Sequence, residues 1–145
     1  MSRIYLSKEL KDLVFDRANF LCEYCLSPDD YSSSPFNIEH IIPISKSGTN
    51  EIENLALACQ GCNLHKYNNI FGIDPESGVL AAFYNPRENN WKDHFIWNEN
   101  HTIIIGQTPI GRATVNSLYL NRYRLINQRN AFIKLGIHPP KFTIV

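Results

Sequence analysis

Four cysteines have the spacing that most directly indicates chemistry. They form two pairs with the same two-residue spacer, Cys22-Glu-Tyr-Cys25 and Cys59-Gln-Gly-Cys62, and 33 residues separate the pairs. A two-residue spacer lets two thiolates bind one tetrahedral Zn²⁺ at about 2.3 Å each. The alternative is four unrelated buried thiols or a redox pair. The repeated spacing favours one zinc site, which would be structural because four thiolates leave no position for a substrate.

Capping residues, apolar runs and turn formers predict the elements that position these cysteines. Ser7 can cap a helix that delivers Cys22, and Pro43 ends an apolar, β-branched strand. The turn of the following loop is expected at Gly48. The predicted elements are a helix over residues 8–20, a loop over 27–35, a strand over 36–42, a short strand or helical turn over 55–58, and a helix over 62–69.

The order of the motifs in this part of the chain resembles that of the HNH endonucleases. The motifs are Cys22-x-x-Cys25, Ile38-Glu39-His40-Ile41-Ile42-Pro43, the Gly48 loop, Asn54-Leu55, and Cys59-x-x-Cys62-Asn63-x-x-Lys66. The family more often has Asp and His where this chain has Glu39 and Asn63. The resemblance implies an α+β protein with a ββα-metal (His-Me finger) core, a four-cysteine structural zinc site and an α+β C-terminal extension.

The residue types in these motifs suit phosphodiester hydrolysis. That reaction needs a base for the attacking water and a hard cation for the charge that develops on the phosphoryl oxygens. An imidazole titrates near neutral pH, so His40 is the expected base. Glu39 and Asn63 offer oxygen ligands for Mg²⁺ or Mn²⁺. The resemblance assigns Asn54 to orienting the loop and His40.

Strand periodicity alone does not bring Glu39 and His40 into one site. Adjacent strand residues point to opposite faces, so the two can share a site only if the strand twists or the phosphate sits at its edge. The alternative for His40 is a hydrogen-bonded core histidine, and the alternative for Glu39 is a solvated carboxylate. The family resemblance favours the catalytic interpretation of both.

Helical phase separates two candidate ligands after the last cysteine. Asn63 and Lys66 are three residues apart and share a helix face, whereas His65 lies about 200° around the helix from Asn63. We therefore expect Asn63, not His65, to be the ligand. Lys66 is expected either to contact a DNA phosphate or to be solvated. His94, His101 and His138 have no ligand spacing, and ordinary polar roles are expected for them.

Charge is distributed unevenly along the chain, although the formal net charge is zero. Residues 1–99 carry eight Lys and Arg against fourteen Asp and Glu, and no acidic residue follows Glu99. This asymmetry predicts either a nucleic-acid contact surface in the C-terminal part or pairing of its arginines with carboxylates of the first part. The candidate nucleic-acid contacts are Lys66, Arg112, Arg122, Arg124 and Arg129.

The C-terminal part carries weaker signals. Its predicted elements are a strand over residues 79–84, a hairpin over 94–97 and 102–105, and helices over 109–120 and 122–135. Leu118, Leu125 and Phe132 recur every seven residues and predict a packing seam. Trp91 and Trp97 are expected to be packing residues. We expect residues 1–70 to form the nuclease core and residues 71–145 an extension packed on it as one globular unit.

Composition limits the class of protein. The chain has 145 residues, of which 43% are hydrophobic and 19% charged, as expected for one folded domain. It has no apolar run of membrane-spanning length and no signal-peptide pattern at its N-terminus, which predicts a soluble, cytoplasmic protein with no membrane partner. We also expect no small-molecule cofactor. The function expected is metal-dependent hydrolysis of DNA, most simply duplex DNA. The alternatives are a non-catalytic zinc module that binds nucleic acid, or a nuclease that acts on RNA.

Overall fold

The computed structural model describes residues 6–141, so the outer ends of both predicted domains lie outside the described residues. Within this range the protein is a mixed α and β structure with three small antiparallel sheets of two strands each. The helices are α1 (Lys8–Arg17), α2 (Gln60–Lys66), α3 (Trp91–His94), α4 (Pro109–Leu118) and α5 (Tyr123–Lys134). The strands are β1 (Asn37–His40), β2 (Leu55–Ala58), β3 (Phe71–Ile73), β4 (Leu80–Ala82), β5 (Phe95–Trp97) and β6 (Ile104–Gly106).

Helix α1 begins where its capping residue predicts but ends three residues early. The Ser7 hydroxyl accepts a hydrogen bond from the Leu10 amide at 3.2 Å, which satisfies a free N–H group of the first turn. Asn19 and Phe20 both adopt positive φ angles, so the chain leaves the helical conformation after Ala18. This turn directs the backbone towards Cys22.

Strands β1 and β2 form the sheet that carries the candidate active site. Glu39 lies opposite Ala56 and His40 lies opposite Leu55 in the antiparallel register. Strand β1 is shorter than predicted because the Asn54 side chain, not a strand backbone, accepts the hydrogen bond of the Ile42 amide at 2.8 Å. All four residues of β2 are buried, and the strand leads directly into α2.

Helix α2 begins and ends earlier than predicted. Cys59 occupies the N-cap position, and its sulfur accepts a hydrogen bond from the Cys62 amide at 3.4 Å. Tyr67, with φ at 51°, ends the helix before Asn69. The N-terminus of α2 is therefore built around the second cysteine pair.

The C-terminal part contains a strand that the apolar pattern does not predict. Strand β3 pairs with β4 across a turn that Gly78 permits, because its φ of 74° is readily adopted only without a side chain. The central residue of β3, Gly72, has neither the β-branched nor the aromatic character that indicates a strand. A single turn of helix, α3, precedes the predicted β5–β6 hairpin.

The buried core joins the two halves of the described chain. One apolar cluster contains all four cysteines together with residues of the C-terminal part, among them Phe83, Trp91, Phe95, Leu118, Leu120 and Leu125. A smaller cluster packs Val14 and Ala18 of the N-terminal segment against Leu55 and Leu57 of β2. The C-terminal part therefore forms one wall of the space around the cysteines. None of the helices within residues 6–141 is long and apolar enough to cross a membrane.

Candidate active site and metal centre

The four cysteines converge on one buried point. Their sulfur atoms all lie within 4.8 Å of one another, and the Cys25 and Cys59 sulfurs are 3.7 Å apart. Four sulfurs at 2.3 Å from a tetrahedral ion would be separated by about 3.8 Å. Hydrogen bonds from the other three thiols lower the pKa of the Cys59 thiol. The donor chemistry and geometry fit a structural metal such as zinc.

His40 lies at the end of β1, and its half-exposed ring is held by a residue that the sequence motifs do not single out. The ring Nε2 is 2.7 Å from Oδ1 of Asn50. An amide oxygen can only accept a hydrogen bond, so this contact favours the tautomer of the neutral ring that has its proton on Nε2 and its lone pair on Nδ1. In that tautomer the opposite ring nitrogen could accept a proton. The position of Asn50, two residues after Gly48 in the motif loop, is the only sequence signal that could have indicated it.

Asn54 closes the loop that contains Asn50. Its Oδ1 accepts from the Ile42 amide at 2.8 Å, and its Nδ2 donates to the carbonyls of Ile42 at 2.9 Å and Thr49 at 2.8 Å. These bonds connect the end of β1 to the residue immediately before Asn50. Asn54 thus joins the backbone just after His40 to the backbone just before Asn50.

Glu39 points away from the solvent-facing side of His40 and is only 5% exposed. Its Oε1 accepts a hydrogen bond from the Tyr24 hydroxyl at 2.7 Å, and its Oε2 lies 3.1 Å from the Lys66 ammonium. Burial raises the pKa of the Glu39 carboxyl, while the charge of Lys66 opposes that rise. Both carboxylate oxygens therefore have protein partners.

Lys66 is buried, whereas the sequence predicts that it either contacts a phosphate or is solvated. Its side chain is 2% exposed, and its ammonium donates to the Ile41 carbonyl at 2.9 Å and the His40 carbonyl at 3.5 Å. With Glu39, these carbonyls supply three partners for three N–H groups. The face of α2 that carries Lys66 packs against β1, which is why the lysine is buried and unavailable to a phosphate.

Asn63 and His65 lie on different sides of α2, as their helical phase predicts. Asn63 is half-exposed, and its side chain makes no hydrogen bond to any described residue. The His65 ring packs against the Tyr119 ring with centroids 4.7 Å apart. The Asn63 side-chain oxygen is therefore available to a ligand, whereas His65 is part of the contact between α2 and the end of α4.

Of the two residues predicted to bind Mg²⁺ or Mn²⁺, only one is arranged to do so. The Asn63 amide is an accessible oxygen donor of the kind Mg²⁺ prefers. The Glu39 carboxylate does not fit a cation in this arrangement, because the Lys66 ammonium already lies against Oε2 and would repel a second positive charge.

Three of the four arginines considered for nucleic-acid contact are engaged within the protein. Arg112 forms a two-pronged ion pair with Asp74, at 2.9 and 3.0 Å. For this arginine the structure therefore shows the alternative prediction, pairing with a carboxylate from residues 1–99. Arg129 is buried and donates to the carbonyls of Thr102 and Leu120. Arg122 lies against the cysteine sulfurs.

Arg124 is the exposed member of the group, and its guanidinium lies 5.5 Å from the Tyr123 ring centre. Two of the remaining histidines have the polar roles expected of them: His94 hydrogen-bonds the Thr108 hydroxyl at 2.7 Å, and His138 hydrogen-bonds the backbone carbonyl of His101 at 2.8 Å.

Comparison with known proteins agrees with the motif order. A family model described as HNH endonuclease matches residues 22–69, the segment that includes both cysteine pairs, His40, Asn54 and Asn63. No curated protein matches the chain. The chain therefore contains an HNH endonuclease domain at residues 22–69.

Proposed function

We propose that the protein is a nuclease that hydrolyses DNA phosphodiester bonds, with His40 as the general base. The observation that carries this proposal is the contact between His40 and Asn50, which leaves a basic nitrogen on a partly exposed ring inside an HNH domain. A histidine with only a packing role would be expected in the buried core. Here the neighbouring Glu39 is in the core and His40 is not.

The proposed proton path starts at a water molecule beside Nδ1 of His40. The imidazole takes one proton as the water oxygen forms its bond to phosphorus. The bond between phosphorus and the 3′ oxygen breaks, and that oxygen takes up a proton from solvent. The products would be a 5′-phosphate and a 3′-hydroxyl, the ends that the family resemblance implies.

We also propose that the reaction depends on Mg²⁺ or Mn²⁺. Such an ion would stabilise the negative charge that develops on the phosphoryl oxygens. Asn63 presents an accessible oxygen for it. The assignment of Glu39 as the second ligand stays a prediction, and it requires Lys66 to withdraw from the carboxylate. Zinc at the four cysteines would have a structural role only.

A second candidate function is a non-catalytic zinc module that binds nucleic acid. It is favoured by one observation, the burial of Glu39 between Tyr24 and Lys66, because a carboxylate used in this way has a structural role. This candidate gives no account of the exposed His40 ring or of its contact with Asn50.

The test is cleavage of matched substrates. Supercoiled plasmid, single-stranded DNA and RNA of the same sequence would each be incubated with the full chain and Mg²⁺ or Mn²⁺, with EDTA as the control. Conversion of plasmid to nicked or linear DNA that EDTA prevents supports the proposal. Cleavage of RNA alone would change the substrate to RNA. Binding without cleavage of any substrate would favour the non-catalytic module.

A further inference from the structure

Arg122 places a permanent positive charge on the cysteine cluster from outside the HNH domain. Its Nη2 lies 3.4 Å from the Cys59 sulfur, and Nη1 and Nη2 lie 3.7 and 3.8 Å from the Cys62 sulfur. Arg122 is the N-cap residue of α5, in the turn between α4 and α5. The second pair of cysteines is therefore contacted by a side chain 60 residues further along the chain.

The contacts of Arg122 include no carboxylate. Within residues 6–141 it forms no ion pair with Asp or Glu, and the other hydrogen bonds of its guanidinium are to the carbonyls of Leu118 at 3.3 Å and Tyr119 at 3.1 Å. The two carbonyl bonds fix the guanidinium against the end of α4. Nη2 is directed at the sulfurs of Cys59 and Cys62, and sulfur is a strong acceptor only as the thiolate.

When a divalent ion is bound, the positive charge of Arg122 would offset part of the negative charge of the four thiolates. Four thiolates around Zn²⁺ carry a net charge of −2, and buried uncompensated charge is costly. An arginine stays protonated at any pH at which the protein is folded, and its planar fork can donate to two sulfurs at once. Hydrogen bonds from second-sphere donors to metal ligands commonly raise metal affinity 10- to 100-fold.

Gly61 provides the space that the guanidinium occupies. A β-carbon at this position would lie 2.4 Å from Nη2 and 2.8 Å from Cζ of Arg122. The spacer of the second cysteine pair therefore leaves room for the arginine. Any larger residue would force the guanidinium away from the sulfurs.

We propose that Arg122 is a positioning residue of the metal centre, which neutralises part of the tetrathiolate charge and fixes the C-terminal extension to the HNH domain. The inference rests on the proposed zinc site. It assigns to the extension a role in metal retention that is independent of nucleic-acid contact.

The test is zinc retention in a competition with a chromogenic chelator, measured on the full chain. Arg122→Gln should lower zinc affinity about 10- to 100-fold, and Gly61→Ala, which keeps the arginine but displaces it, should have an effect in the same direction. Arg124→Gln is the matched control, because that arginine is exposed and does not contact the cysteines. With Co²⁺ in place of zinc, the thiolate-to-metal absorption of Arg122→Gln should shift while that of the control does not.

The test separates failure of the proposed metal site from failure of the proposed role of Arg122. If the wild-type protein binds no zinc or Co²⁺, the proposed metal site itself fails. If the wild type binds metal and Arg122→Gln retains it as tightly as Arg124→Gln does, the role of Arg122 is overturned. Should Arg122→Gln fail to fold, Gly61→Ala decides by the same criterion.

Discussion

The ammonium of Lys66 lies 3.1 Å from Oε2 of Glu39 at a place where neither side chain reaches solvent. The pair joins the face of α2 to the back of β1, directly behind His40. Each charge depends on the other, because water cannot solvate a lone carboxylate or ammonium in that position. This relationship gives Glu39 a partner that the family resemblance does not imply.

The first prediction concerns the stability of this ion pair. Glu39→Gln or Lys66→Met alone should lower the free energy of unfolding by about 3–5 kcal/mol, because each leaves one buried charge unpaired. The double variant should lose less than the sum of the single losses. Urea unfolding measures all three, and Lys8→Met is the control, since its ion pair with Asp12 is exposed to solvent and should contribute little to stability. Additive losses would show that the two charges do not interact.

The second prediction concerns the base. His40→Ala should reduce cleavage by about 10²- to 10⁴-fold while leaving the melting temperature, zinc content and DNA affinity nearly unchanged, because the ring is partly exposed and outside the core. Wild-type-like cleavage by this variant would place the base elsewhere.

The third prediction concerns Asn50, which acts through His40. Asn50→Ala should reduce the cleavage rate less than His40→Ala and should shift the pH profile of the rate, because the ring loses its fixed proton on Nε2. Nitrogen NMR of the imidazole should show mixed tautomers in the variant and one tautomer in the wild type. An unchanged tautomer and pH profile would remove Asn50 from the site.

The fourth prediction separates the two candidate ligands on α2. Asn63→Ala should weaken the Mg²⁺ or Mn²⁺ dependence and the rate of cleavage together, whereas His65→Ala should change neither, because its ring packs on Tyr119. Asn63→His adds an imidazole and should shift the preference towards softer metals. Full activity of Asn63→Ala across a Mg²⁺ titration, with His65→Ala inactive, would reverse the assignment.

The fifth prediction concerns the metal centre. Cys25→Ser should lose the bound metal and lower the melting temperature, because a structural ion contributes directly to folding. Ser27→Ala is the matched control: its hydroxyl lies 3.2 Å from the Cys25 sulfur but is not one of the four sulfur ligands. Metal content by mass spectrometry and calorimetric melting provide the measurements. A Cys25→Ser protein with wild-type metal content and melting temperature would contradict the site.

Much of the site follows from the sequence, because its signals are local. The two-residue spacers bring each cysteine pair together within one turn, and the offset of two positions between Asn63 and His65 places them about 200° apart around a helix. Ser7 marks the start of α1, and the apolar residues 55–58 indicate a buried element. Each of these inferences needs only neighbours along the chain.

Tertiary structure decided which charges are free. Glu39 and Lys66 are 27 residues apart, Arg122 is 60 residues from Cys62, and Arg112 is 38 residues from Asp74. A sequence pattern shows that such residues are charged but does not show which partner the fold brings within 4 Å of them. Burial then determines their roles, because a charge removed from water must be paired inside the protein and is no longer available to a phosphate.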